Sequence, residues 1–359
     1  MTMFSSYHIA WNRRLKSIFF NSILPVLAAF FLGAIIILFV GENPISTYYQ
    51  MLSLSLFHLD GILRTLHVAA PLILTGLAIA ITFKANIFNM GVEGQALLGG
   101  FFAGIVGAQA RNISPTLNVA FCLFVGIASG MAFAMIPAIL KAFFHVNEMV
   151  VTLMLNYAAS ESLTFLSEGV FRDNAAGYVA TPVIRKSAMF LKLGRGDLTA
   201  FFFISFSIFI LMYFIMKYTK LGYEIIAIGK NSQFAEAIGA RVHRKIIIIM
   251  LLSGGISGLA GAGWMQSERF RYTLNFSGSP GLGWDGMLIS LLGAHDPIGV
   301  VIAALFYSAL KVGMSKIELF TEVPREIVSV IQGLMILFLS VRYITYDARL
   351  RDIFRRESI

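Results

Sequence analysis

The stretch AlaAsnIlePheAsnMetGlyValGluGlyGlnAlaLeuLeuGlyGly, residues 85–100, places glycines, a carboxylate and three amides between two strongly apolar runs. Backbone of this kind cannot face lipid, where every peptide group must find its partner inside the protein. At membrane depth it persists only when buried in protein or lining a polar cavity. Transporters keep their pathways in such breaks. A second stretch, AsnPheSerGlySerProGlyLeuGlyTrpAspGlyMetLeuIleSerLeuLeuGly at 275–293, has the same character in the other half of the chain. Two interrupted segments in corresponding halves predict an inverted-repeat transporter.

Composition fixes the class. Of 359 residues, 57% are hydrophobic and 13% charged, and the mean hydropathy is +0.78, too apolar for a water-soluble domain. The apolar runs are helix-length rather than ten-residue alternating segments, which excludes an outer-membrane barrel. The expected fold is therefore an all-α polytopic membrane protein. The one cysteine, Cys122, has no partner for an internal disulfide and reads as small packing material. The formal charge of +9 marks cytoplasmic loops rather than nucleic-acid binding. Arg13, Arg14 and Lys16 precede a long first apolar run, read as a retained span and not a cleaved signal.

Apolar windows fall at roughly 18–41, 65–83, 96–110, 117–140, 148–166, 199–217, 246–265, 282–294, 298–314 and 324–342, with about 20 residues to a crossing. They predict about ten transmembrane helices, the third, eighth and ninth short or broken. With the N-terminus inside, the cytoplasm receives the N-terminal cluster, Lys84, Lys141, six basic residues of the 217–245 loop (Lys217, Lys220, Lys230, Arg241, Arg244, Lys245) and five of the tail (Arg342, Arg349, Arg351, Arg355, Arg356). That is 16 of 28 basic residues, so both termini are expected inside. Segments 2–5 (about 62–166) and 7–10 (about 246–342) are then four-helix units of opposite topology. Both belong to one transmembrane domain over 1–359, with a cytoplasmic loop at about 217–245.

Several constellations carry more than one reading. In the seventh segment, SerGlyGlyIleSerGlyLeuAlaGlyAlaGly at 253–263 pairs Gly254 with Gly258 and Ser257 with Gly261. Such residues let helix backbones approach, and packing within the chain is the simplest reading, ahead of a dimer face or pore wall. The fifth segment opens HisValAsnGluMetValValThrLeuMetLeuAsnTyrAlaAlaSer at 145–160, which sets Glu148, Thr152, Asn156 and Ser160 on one side of a helix. Either that stripe lines a pathway, or Asn147 caps the helix, Glu148 sits at its positive end and the others hydrogen-bond to neighbouring helices. Glu93 reads as the proton relay of a carrier or, more simply, as a carboxylate held by amides at a helix start.

Candidate pathway residues are Asn86, Phe88, Asn89, Gly91, Glu93, Gln95, Asn156, Trp284 and Asp285. Phe88, Asn89, Trp264 and Trp284 offer the stacking and hydrogen bonding that suit a nucleoside; a simple sugar would use many of the same groups.

In the long loop after the sixth segment, Ser232 is expected to cap a short helix running to Ile238, ended by Gly239. Phe234, Ala235 and Ile238 would share a face, offered to a cytoplasmic partner or laid on the membrane surface. Gly229-Lys230-Asn231 is not a phosphate loop. Six residues separate Gly222 from Gly229, and asparagine follows the lysine where serine or threonine is needed. No HExxH, paired-cysteine or GxSxG pattern occurs.

These residues resemble a known family: the permeases of ABC importers for branched-chain amino acids, simple sugars and nucleosides, most closely the nucleoside type that works with a basic-membrane-protein-like lipoprotein. The resemblance covers nearly everything after the first segment. It rests on AsnIlePheAsnMetGlyValGluGlyGln (86–95), AsnGluMetValValThrLeuMetLeuAsnTyr (147–157), GlyLysAsnSerGlnPheAlaGluAlaIleGly (229–239) and the run from Gly281 through Pro297 to Leu310, departing at Ala294, where members often carry a basic residue. It implies a type II-like importer fold in a bacterial plasma (inner) membrane, surrounded by lipid. The 229–239 segment becomes the coupling helix, with Ser232, Phe234, Ala235, Glu236, Ile238 and Gly239 against a separate ATPase. It further implies a second permease subunit, often a different, related chain, and an extracytoplasmic substrate-binding lipoprotein. ATP and Mg would sit on the ATPase, with no cofactor, metal or catalytic residue in this chain. The rival is an autonomous secondary carrier using Glu93 or Glu148 as its ion site.

Overall fold

A computed structural model describes residues 24–109, 114–194, 196–278, 281–318, 327, 329–331 and 333–338. Among them there is no sheet, only the isolated bridges Ala180–Thr273 and Lys192–Thr199. The helices are α1 (Leu24–Phe39), α2 (Pro44–Leu56), α3 (Leu59–Lys84), α4 (Val92–Ala108), α5 (Pro115–Phe144), α6 (Glu148–Glu168), α7 (Phe201–Tyr218), α8 (Lys220–Lys230), α9 (Ser232–Ala237), α10 (Val242–Trp264), α11 (Leu282–Leu292) and α12 (Pro297–Ile317). A π-helical turn, Met265–Arg269, continues α10.

Among the described residues, α3, α5, α6, α7, α12 and α10 with its π turn are six helices long and apolar enough to cross a membrane. The bent pair α1 and α2 raises the number to seven, and α4, α11 and Ser329–Phe338 are shorter apolar helices. Two expectations change. The first window, 18–41, ends at a bend: α1 lies within it, and α2, which no window covered, follows at 113° to it. Gly41 at φ 95 turns the chain, the Asn43 side chain accepts from the Ile45 amide at 3.0 Å, and Pro44 opens α2, where its missing N–H costs nothing. The ninth segment, expected to be short, is the 21-residue α12. Arg13, Arg14, Lys16, Arg342, Arg349, Arg351, Arg355 and Arg356 lie outside the described residues, as does part of the 324–342 window.

The chain divides into two compact units, Ser55–Ala309 and the two flanks, Met1–Leu54 with Leu310–Ile359. In the flanking unit the Tyr48 hydroxyl donates to the Phe30 carbonyl at 2.9 Å, and Lys316 Nζ donates to the Leu54 carbonyl at 3.2 Å.

The larger unit is built around α3 and α10. From Ala69 to Thr82 every residue of α3 is buried, as expected of a helix apolar on all sides. Inside a membrane, apolar helices gain little by leaving lipid for one another, so close backbone contact has to hold them together. Helix α10 supplies it through the small residues noted in the sequence. A methyl group on Gly258 would strike the Gly126 carbonyl of α5, one on Gly130 the Gly254 carbonyl, and one on Gly261 the Ala96 carbonyl of α4. The seam therefore closes helix pairs within the chain. Helix α3 is packed in a similar way on the other side: a Cβ on Gly76 would lie 2.8 Å from Val300 and 2.9 Å from Ile289, and one on Gly286 would lie 2.6 Å from Thr75. Thus α10 lies against α4 and α5, while α3 lies against α11 and the start of α12. The two central helices also touch, through the Ser253 hydroxyl donating to the Ala78 carbonyl at 2.8 Å.

Candidate functional site

Helix α3 ends where Asn86 takes a left-handed conformation, φ 57. The Asn86 amide then donates to the Phe83 carbonyl at 3.0 Å and the Ile87 amide to the Thr82 carbonyl at 2.9 Å. This paired closure satisfies the last carbonyls of the helix, and asparagine is one of the few side chains that tolerates the required φ. Between there and α4 the backbone is irregular, and its amides need acceptors.

Helix α6 provides them. The Phe88 amide donates to Glu148 Oε1 at 3.2 Å, the Met90 amide to Thr152 Oγ1 at 3.1 Å, and the Gly94 amide to Asn156 Oδ1 at 2.9 Å. Asn156 Nδ2 in turn donates to the Met90 carbonyl at 2.7 Å. The stripe Glu148–Thr152–Asn156 is therefore a set of caps for the start of α4, and Asn147 caps α6 itself as expected. Lys141 forms an ion pair at the Glu148 end of the stripe, 2.6 Å away.

Asn89 and Gln95 are fully buried, Asn89 donating to Ser253 Oγ at 2.9 Å and exchanging longer 3.4 Å contacts with Gln95. Asn86 is exposed, and Phe88, Glu93 and Trp284 are half-buried. Glu93 reaches the other interrupted stretch: its Oε2 accepts from the Gly283 amide at 2.6 Å. The first turns of α4 and α11 thus meet, and an amide does hold the Glu93 carboxylate, though it belongs to the opposite half. Asp285 is buried and accepts from the Tyr307 hydroxyl. Trp264 is buried and donates to the Phe276 carbonyl at 3.3 Å. At the corner after α11, burial, with Lys84 nearby, pushes the His295 imidazole down to about 4. The unfolded chain takes up that proton near pH 6.5 and the folded chain does not, so this residue lowers stability as pH falls from about 6.5 to about 4.

One expected consequence concerns Asn156. Asn156→Leu leaves the Gly94 amide and the Met90 carbonyl unpaired, each costing about 1–3 kcal/mol when buried, and should lower the melting midpoint of the purified protein by roughly 5–10 °C. Asn156→Asp keeps the acceptor and should lose less. Equal melting of all three proteins would remove the capping role.

The loop expected at about 217–245 folds as two helices. The N-cap of α9 is Asn231, whose Oδ1 accepts from the Phe234 amide at 3.0 Å, not Ser232, which is the first helical residue. Gly239 at φ 91 does end it, with the Ala240 amide donating to the Ala235 carbonyl at 3.0 Å. Ala235 does not share an outward face. It is fully buried against Ile228, Ala240 and Val242, whereas Phe234 and Ile238 are 59% and 51% exposed; Glu236 and Ser232 are exposed as well. Helix α8 is anchored by Lys245 at 2.6 Å from the buried Glu224. A Cβ on Gly229 would strike the Lys84 carbonyl at the end of α3.

One cluster has no counterpart in the sequence reading. Arg64, in the second turn of α3, forms a two-pronged ion pair with Glu268, at 2.8 and 2.5 Å. His67 Nε2 lies 3.2 Å from the same carboxylate. Asp197 stands 3.7 Å from Arg64, and its bond to Lys192 holds its carboxyl below the usual range. The pair clamps the start of α3 to the end of α10 across 204 residues, a separation at which spacing carries no signal. Among the described residues no group of side chains could hold a metal ion.

The model of the branched-chain amino acid transport system / permease component family matches residues 61–340. The chain belongs to this family. It is a multi-pass membrane permease, a transport subunit and not itself an enzyme. The permease is 32% identical over 334 residues to the nucleoside ABC transporter permease NupB of Lactococcus lactis, covering 90% of each chain. It is 31% identical to the guanosine ABC transporter permease NupP of Bacillus subtilis, over 87% of this chain and 90% of that one. A glucose ABC transporter permease of Haloferax volcanii is 30% identical, over 88% and 86%.

Proposed function

We propose that this permease is the membrane subunit of an ATP-driven importer that carries nucleosides. The observation that carries the reading is its likeness, along nine-tenths of the chain, to a nucleoside permease. A simple sugar is the second reading, favoured by the glucose permease of similar identity. The folded loop with Phe234 and Ile238 exposed supports docking to a separate ATPase, which would hold ATP and Mg. A second, related permease chain and an extracytoplasmic binding lipoprotein complete the proposed complex in a bacterial inner membrane.

Within the permease, Phe88, Glu93 and Trp284, partly exposed near the meeting point of α4 and α11, are proposed to line the pathway, and Asn89, Gln95 and Asn156 brace the start of α4 beside them. The matching placements of α3 on α11 and of α10 on α4 support two inverted repeats around that point. The test is uptake of labelled guanosine, uridine, ribose and glucose in a strain lacking this chain, with and without the gene restored. Restored nucleoside uptake that stops when ATP is depleted is expected; restored sugar uptake alone would replace the substrate.

Orientation has its own test. A reporter after Arg356 should read cytoplasm and one at Ala176 the exterior, because the basic residues favour that topology. A tail found outside would reverse every side assignment.

A further inference from the structure

The spans differ in what they leave uncovered. On α7 the exposed large residues include Phe203, Phe206, Ile210, Leu211 and Phe214, with Tyr218 at the helix end, and on α5 they include Leu117, Phe121, Phe124, Ile136 and Ile139; these faces suit lipid. Helix α6 does not fit that pattern. Met154, Tyr157 and Phe165 are 69%, 72% and 73% exposed, and Glu161 is exposed in the same stripe, at helical steps of three and four. Glu161 lies seven residues before the end of α6, about 10 Å into the span at 1.5 Å per residue. No described side chain pairs with it. A carboxylate at that depth is not left facing hydrocarbon; it faces water or protein.

The opposite side of α6 is fixed by Glu148, Thr152 and Asn156 on the start of α4, so the helix cannot simply rotate to hide Glu161. We infer that the Tyr157–Glu161 face of α6 fronts the water-filled pathway and contacts the substrate. It would take a ligand with an aromatic face and vicinal hydroxyls, Tyr157 and Phe165 stacking on the ring and Glu161 accepting from the hydroxyl pair. This assignment rests on the nucleoside reading above for the ligand's identity, but not for the exposure of the face to water. No earlier motif pointed to it, since the polar stripe read from sequence runs along the other side of the helix.

The permease suits a direct test, because Cys122 is its one cysteine and is buried. In the Cys122→Ala background, Tyr157→Cys and Glu161→Cys are introduced singly into the whole transporter in membrane vesicles. Each is treated with a charged, membrane-impermeant thiosulfonate, with Phe206→Cys on α7 as the lipid-facing comparison. Positions 157 and 161 should label at least tenfold faster than 206, and guanosine should slow that labelling severalfold. Labelling no faster than at 206 would overturn the inference, by placing the face in lipid or against another chain. Fast labelling unaffected by nucleosides and sugars alike would overturn substrate contact. Protection by glucose but not guanosine would keep the face and remove the nucleoside reading. Glu161→Gln should raise the KM for uptake about tenfold with little change in the amount of assembled complex. A fall in assembly matching the fall in uptake would instead assign the face to a subunit interface.

Discussion

Replacing Phe234 with aspartate is expected to abolish ATP-driven uptake while the permease remains folded and inserted. Phe234 on α9 and Ile238, which caps its end, stand one helical turn apart and are more than half exposed among the described residues. An aromatic anchor at the centre of an interface contributes about 2–4 kcal/mol, so its loss weakens association by roughly 30- to 1,000-fold, and a carboxylate in its place adds an unpaired charge. Co-purification of the ATPase with tagged permease should fall accordingly, together with ATPase activity stimulated by the binding protein. Ala235→Arg is the poorer probe. Ala235 is packed against Ile228, Ala240 and Val242, so arginine there disrupts the loop before any partner arrives. If the Phe234→Asp protein transports normally, the docking face is wrong. If uptake follows a proton or sodium gradient without ATP, the carrier reading returns, with Glu93 and Glu148 as its ion sites.

Gly258→Val should prevent the permease from accumulating at all. Its side chain would meet the Gly126 carbonyl and lie 3.1 Å from the Gly130 Cα. These are backbone atoms, so no rotamer change relieves the clash and the helices must separate. Overpacking alone costs about 1–3 kcal/mol, and separating α10 from α5 also weakens the Gly130–Gly254 contact. Gly177→Val, where nothing lies within 4 Å of the added carbon, is the matched control. Membrane fractions should contain the Gly177 variant at normal levels and the Gly258 variant at a few per cent or less. Comparable amounts of both would show that the seam does not hold the fold.

The spans were legible because lipid imposes one requirement on the middle of every long helix, and α3, α5, α7 and α10 meet it with long apolar runs. The kink between α1 and α2 was also written, in Gly41, Asn43 and Pro44, where the first apolar window stops; α2 beyond it was missed because ProIleSerThrTyrTyrGlnMetLeuSerLeuSerLeu mixes polar with apolar residues. The polar side of α6 was visible as a stripe. Its partners were not, since the amides it caps lie about sixty residues away and carry no side-chain signature. In the loop, Asn231 and Ser232 are comparable caps, and the choice depends on where α8 ends at Lys230. The burial of Ala235 was hidden for a related reason: in so short a helix the same spacing serves an inward or an outward face. Arg64 and Glu268 illustrate the limit, two charges in apolar surroundings that find each other only once α3 and α10 are side by side.

The contact between Gly229 and the end of α3 leaves no compressible layer. A loop resting on flexible side chains could shift by an ångström and be absorbed by them; here one backbone bears directly on another at the Lys84 carbonyl. Two residues further on the helix has already ended in its left-handed turn, and the irregular segment begins. Any thrust that drives α8 toward α3 is therefore delivered undamped, as a displacement rather than a deformation, at the joint where α3 gives way to the segment that α6 caps.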